Sequence, residues 1–108
     1  MTNYELRIIA DCPNSGPALE LYRRALAEEG RDAEVHVREV SSEDEARELG
    51  FHGSPTFMIG GRDLFPSSAE PAVTCRVYPT PDGLSGQPSL AALRLAVRLA
   101  ILRAAQPK

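Results

Sequence analysis

The sequence predicts an α/β sandwich in which helices cover one four-stranded mixed sheet. Three observations carry this. A near-continuous apolar strand, Leu6–Ala10, is followed after Asp11-Cys12-Pro13-Asn14-Ser15 by a helix-periodic segment. A second strand and helix then repeat the order: Val35–Val40, followed by Ser42–Leu49. Finally, Thr56–Ile59 reads as a strand closed by Gly60-Gly61, ahead of a long helical pattern at the end of the chain. The predicted order is β-α-β-α-β-β-α.

Each element has a local reason. The unbroken apolar character of Leu6–Ala10 suits a central strand covered on both faces. Ala18, Leu19, Tyr22, Ala25, Leu26 and Glu29 recur at helical spacing, and Gly30 stops the helix. Pro17 predicts a kink in that helix or a restart at Ser15. Val35, Val37 and Val40 interleave with His36, Arg38 and Glu39, the pattern of a strand with one wet face. Ser42 and Glu45 form a capping box, and Ala46 and Leu49 give the short helix its apolar side before Gly50. A strand–helix–strand unit of this length crosses over right-handedly, so the first two strands should be parallel neighbours.

The fourth strand has two candidates, Arg62–Phe65 and Val73–Tyr78, and the later one is the preferred partner for the main sheet. Pro79–Pro88 reads as a loop rich in Pro and Gly, after which Ser89 opens a helix running to about Ala105. Leu90, Leu93, Val97, Ile101 and Ala104 form the core stripe of that helix. Leu95, Leu99 and Leu102 form a second stripe, which either meets another copy in a homodimer or lies under the Pro/Ser-rich loop.

At 108 residues, 43% hydrophobic and 25% charged, the chain is sized for one domain spanning residues 1–108. Its net charge of -3 argues against nucleic acid or an anionic membrane as partner. Arg94, Arg98 and Arg103 keep the last helix from reading as a membrane span, and Met1–Glu5 passes into strand-like sequence with no targeting leader. The two cysteines stand far apart, which suits a reducing cytoplasm. Neither is spaced with His36 or His52 as in a zinc site, so no metal or resident cofactor is expected.

Cys12 is the residue that carries chemistry. A thiol at the junction of a strand and a helix faces unpaired backbone N–H groups and the positive end of the helix dipole, both of which favour thiolate. The run Cys12-Pro13-Asn14-Ser15 between strand and helix, together with Leu49-Gly50-Phe51-His52-Gly53-Ser54-Pro55-Thr56-Phe57-Met58-Ile59-Gly60-Gly61, resembles the thioredoxin superfamily, whose small bacterial and glutaredoxin-like members carry a Cys-x-x-Cys or Cys-x-x-Ser site. The resemblance implies a thioredoxin-like fold and a cis Pro55 beside Cys12. It further implies that Pro13, Asn14, Ser15, His52, Ser54, Pro55 and Thr56 line a site for an extended thiol or disulfide substrate, with a small-molecule thiol as co-substrate.

The departures from that pattern narrow the chemistry. Ser15 stands where a dithiol enzyme has its resolving cysteine, so no Cys12–Ser15 disulfide can form. Leu6 replaces the buried acid of the first strand, and Asp11 replaces an aromatic, placing a negative charge next to the sulfur. Gly86-Gln87-Pro88-Ser89 offers backbone N–H groups but no charged side chain to a small-thiol partner.

Cys75 has two readings. On a fourth strand over Val73–Tyr78 it lies roughly 10 Å from the active edge, more than the ~7 Å a disulfide tolerates, so it is either a resolving thiol brought in by bending or a buried packing residue. His52 is either a cation that stabilises the Cys12 thiolate or a solvated loop histidine. Two functions follow. The first is a thiol–disulfide oxidoreductase with Cys12 as nucleophile, working by monothiol exchange or with Cys75 as resolving thiol on a protein or small-molecule substrate. The second is a non-catalytic binding module for a peptide, a small thiol or a soft metal.

Overall fold

β1 (Tyr4–Ile8) becomes the centre of the sheet because its alternate residues are wanted on both faces. Tyr4 and Leu6 enter the main core, while Glu5 and Arg7 form an ion pair on the opposite face, where Arg7 also donates to the carbonyl of Leu49 at 3.4 Å. The computed structural model describes residues 3–31 and 33–105, so the expected absence of a leader at Met1-Thr2 concerns residues outside those described. The remaining elements are α1 (Ser15–Glu28), β2 (Val35–Glu39), α2 (Glu43–Leu49), β3 (Thr56–Ile59), β4 (Arg62–Asp63), β5 (Tyr78–Thr80), β6 (Gly83–Ser85) and α3 (Leu90–Ala105).

The sheet is four-stranded and mixed, in the order β2-β1-β3-β4. β1 and β2 are parallel neighbours, with Tyr4 opposite Val35 and Ile8 opposite Glu39. β3 runs antiparallel to β1, pairing Leu6 with Phe57 and Arg7 with Thr56. The start of β3 therefore lies beside the end of β1, the edge from which the chain leaves toward Cys12.

Three expectations are corrected. The fourth strand is Arg62–Asp63, not Val73–Tyr78. Gly60 and Gly61 both hold positive φ, 59° and 81°, as a two-residue hairpin turn demands, and such a turn hands the chain straight back to its neighbour. Second, Pro79–Pro88 is not all loop, because β5 and β6 form a separate two-stranded hairpin. Third, β2 has no dry face beyond Val35. Val37 is 48% exposed on this edge strand, and Val40 turns instead into a small second core with Ala46 and Phe51.

α1 follows its periodicity, burying Ala18, Tyr22, Ala25 and Leu26, and it starts at Ser15. A start at Ser15 is one of the two outcomes Pro17 predicts, and it places Pro17 inside the first turn, where a missing N–H costs no helical hydrogen bond. Phe57 centres the main core, its ring edge-on to Tyr22 at 5.2 Å and to Tyr78 at 6.0 Å. Tyr22 also donates its hydroxyl to the carbonyl of Met58 at 2.7 Å, and burial pushes its phenol up.

At the α1 terminus, Glu29 accepts from Arg94 at 2.9 Å and from Arg98 at 2.8 and 3.0 Å, binding α1 to α3. On α2, Ser42 Oγ accepts from the Glu45 N–H at 3.1 Å, and Gly50 caps the other end in a left-handed conformation. The Glu45 carboxylate reaches the N–H of Ser41, one residue before the box partner expected. On α3, Leu93 and Val97 are buried and Leu90 and Ile101 pack against the core, but Ala104 is exposed. Leu95, Leu99 and Leu102 remain exposed, so neither the Pro/Ser-rich loop nor the hairpin covers the second stripe. Among the described residues no helix is long and apolar enough to cross a membrane.

Candidate functional site

The turn between β1 and α1 is built by Asp11, which adopts a positive φ of 60°, a conformation that Asp tolerates better than most residues. It leaves Asp11 exposed and Cys12 buried, 8% exposed, at the head of α1. Ser15 N–H donates to the carbonyl of Cys12 at 3.2 Å, closing the turn. Asn14 takes the N-cap position but its side chain makes no capping hydrogen bond, so the donors of the first turn are left for the sulfur.

Burial pushes the Cys12 thiol up. The hydroxyl of Ser54, the N–H of Asn14 and the hydroxyl and N–H of Ser15 pull it down, and the net direction is below the ordinary thiol range. Ser15 Oγ and Ser54 Oγ are both buried, and neither completes an aligned hydrogen bond with a group among the described residues. Two hydroxyls thus converge on one sulfur and are left for its charged form. A neutral thiol is a weak partner, whereas a thiolate accepts charge-assisted hydrogen bonds. Asp11 and His52 are not among the groups that act on the sulfur.

Ser54 arrives from the loop that leads into β3. The Ser54–Pro55 bond is cis, and Gly53, Ser54, Pro55 and Thr56 are all buried. Arg76 clamps this loop. Its guanidinium donates to Asp63 at 2.8 Å, to Thr56 Oγ1 at 3.3 Å and to the carbonyl of Phe65, and it lies 4.8 Å over the ring of Tyr78. The Tyr78 hydroxyl donates to the carbonyl of Pro55, and Thr56 Oγ1 donates to the carbonyl of Gly53 at 2.5 Å. Gly53 must be glycine twice over, for its φ of 116° and because a Cβ there would lie 2.9 Å from Cβ of Arg76.

The residues proposed from the sequence therefore separate. Cys12, Asn14, Ser15 and Ser54 meet at the sulfur. Pro13 is exposed beside them, and Pro55 and Thr56 are buried, with Thr56 engaged by Gly53 and Arg76. His52 instead lines a groove of about 1150 Å³ between the β4 region and α3, bordered by Phe65, Leu95 and Leu99, with its Nδ1 buried and unpartnered. Cys75 does not stand near the end of a main-sheet strand. It is exposed and bridged to Ser54, and both thiols are free.

Two residues of the site carry no expectation from the sequence, and a third, Gly86, is expected there only for its backbone N–H. Arg76 and Tyr78 lack a sequence signal, because their partners lie 11 to 23 positions away. Gly86 does carry one, as a glycine in a Pro/Gly-rich stretch. A Cβ at Gly86 would overlap the side-chain amide of Asn14, so the hairpin exit packs directly on the N-cap of α1.

No family model, curated protein or solved structure matches the chain. The chemistry is accordingly read from the site itself. Among the described residues no three His, Cys, Asp or Glu side chains are grouped to hold a metal ion.

Proposed function

We propose that this chain is a thioredoxin-like thiol–disulfide exchange protein with Cys12 as nucleophile. The observation that carries the reading is the convergence of two buried, unpartnered hydroxyls and two backbone N–H groups on a single sulfur at a helix N-terminus. A thioredoxin-like arrangement is supported by the parallel β1–β2 pair, the antiparallel β3–β4 pair and a cis-proline loop that brings Ser54 to the sulfur. In the exchange, the Cys12 thiolate attacks one sulfur of a disulfide. A mixed disulfide forms and the other sulfur leaves as a thiolate. No resident cofactor is needed, since a second thiol supplies the electrons that release Cys12. Two free thiols suit a reducing compartment, the basis for proposing a cytoplasmic location.

One observation favours the binding-module reading. Cys12 is only 8% exposed, which limits the approach of a bulky disulfide. Turnover of 2-hydroxyethyl disulfide by a small thiol, followed with the pH dependence of Cys12 alkylation, separates the two. Exchange above the uncatalysed rate, lost in Cys12→Ser, and alkylation that rises below the usual thiol range are expected. An ordinary alkylation profile without turnover would refute the exchange reading and leave the binding module.

A further inference from the structure

Ser54 does not offer its main chain to a substrate, because the protein has already used it. Its N–H donates to the carbonyl of Thr74 at 2.8 Å, and its carbonyl accepts from the N–H of Arg76 at 2.9 Å, so that Cys75 pairs with Ser54 in a parallel bridge. An extended peptide approaching the Cys12 site finds this edge filled. The residue filling it is the chain's other cysteine.

The register of that residue is pinned. On one side, Ala72 N–H donates to the carbonyl of Phe51 at 3.0 Å and Val73 N–H to Glu43 Oε1 at 3.2 Å. On the other, Arg76 is locked by Asp63, Thr56 and Phe65 and by its close fit over Gly53. A slip of one residue would break both anchors. Bridged residues lie about one strand spacing apart, about 4.8 Å, and direct their side chains to the same face. On that face the Ser54 hydroxyl acts on the Cys12 sulfur, and Cys75 is exposed beside it.

We propose that Thr74–Cys75–Arg76 is a built-in occupant of the substrate edge and that Cys75 is the resolving thiol of Cys12. This rests on the reading of Cys12 as the nucleophile. The Cys12 thiolate attacks a small-molecule disulfide, and half of that molecule leaves as a thiol after taking up a proton. The thiolate of Cys75 then attacks Sγ of Cys12, the bond to the remaining half breaks, and that half leaves as a second thiol. The product is a Cys12–Cys75 disulfide. The two cysteines have been oxidised, the small disulfide has been reduced, and two molecules of a small thiol reset the pair. Closing the bond requires Cα atoms within about 4.4–6.8 Å, and the bonds of Thr74 and Arg76 to Ser54 hold Cys75 beside the residue whose hydroxyl reaches the Cys12 sulfur.

The test treats the reduced full chain, at high dilution, with 2-hydroxyethyl disulfide and reads thiol release and peptide mass. The native chain should release both halves of the reagent and yield a linked Cys12–Cys75 peptide. Cys75→Ser, and equally Cys75→Ala, should release one half and stall as a mixed disulfide on Cys12. A native chain that stalls on Cys12 as the variants do overturns the inference while leaving Cys12 as nucleophile. A Cys12 that stays unmodified in every form overturns both readings, and a Cys12–Cys75 link found only between molecules overturns the resolving role.

Discussion

Replacing Ser54 by alanine should make the protein more stable at low pH and less stable at high pH than the native chain. Ser54 is fully buried and its hydroxyl has no aligned partner while Cys12 is a neutral thiol. An unsatisfied buried hydroxyl costs about 1–3 kcal/mol. Ser54→Ala removes one oxygen and opens little space, so a gain of about 1 kcal/mol is expected near pH 6, roughly 4–8 °C in Tm for a domain of this size. The sign reverses when Cys12 ionises. Its folded-state value is lowered, so the thiolate contributes stability that is fully present above the unfolded thiol's pKa and is lost as pH falls through the folded one. The Ser54 hydroxyl supplies part of that contribution, since a hydrogen bond to a charged group is worth about 1.5–3 kcal/mol. By pH 9.5 the variant should therefore be the weaker of the two, and its thiol should be displaced upward. Thermal and urea unfolding of the reduced proteins across pH 6–9.5, with alkylation rates for the thiol, measure both effects. A variant that is less stable at pH 6, by a margin that does not change with pH, would refute the claim that this hydroxyl waits for the thiolate.

Two further outcomes are expected. Glu29, held down to about 2 by hydrogen bonds from Arg98 and Arg94, adds stability that is present above its ordinary value of 4.5 and is lost as pH falls toward 2. Glu29→Gln should lower Tm at neutral pH and flatten the acid limb of the Tm–pH curve in that window, whereas parallel curves for the two proteins would show that the α1–α3 ion pairs carry no linkage. Gly86→Ala sets a Cβ against the tip of the Asn14 side chain, which makes no capping hydrogen bond and can swing aside, while the donor to the sulfur is the Asn14 backbone N–H. Urea unfolding should therefore change by less than about 0.5 kcal/mol and Cys12 alkylation should keep its rate. A loss of stability together with slowed alkylation would show that the hairpin exit fixes the backbone at the head of α1.

Much of the frame was legible because its causes are local. Helical spacing gave α1 its buried face, Ser42 and Gly50 bounded α2, and the strand–helix–strand unit put β1 beside β2 in parallel. The fourth strand is less legible: apolar alternation points to Val73–Tyr78, but the two-residue Gly-Gly turn, in which both residues adopt positive φ, is the stronger constraint and pairs Arg62–Asp63 with β3. Cys12 was legible as a thiol at a helix start. Its most consequential partner was not: Ser54 was named only as one residue of a loop, and nothing local says that its hydroxyl meets a sulfur 42 positions earlier.

By itself the sequence determined the order of the first five elements and the closing helix, the parallel pairing of the first two strands and the placing of one thiol at a strand-to-helix junction. These follow from side-chain periodicity and capping, which act over a few residues. Only the tertiary structure decided which donors surround that thiol, that Arg76 and Tyr78 brace the Gly53–Thr56 loop, and that Cys75 fills the main-chain edge of Ser54. Each of those is a contact between segments far apart in the chain. Such contacts are selected by how buried polar groups can all be satisfied at once, a condition that exists only after the sheet, the helices and the long 64–77 segment have packed together.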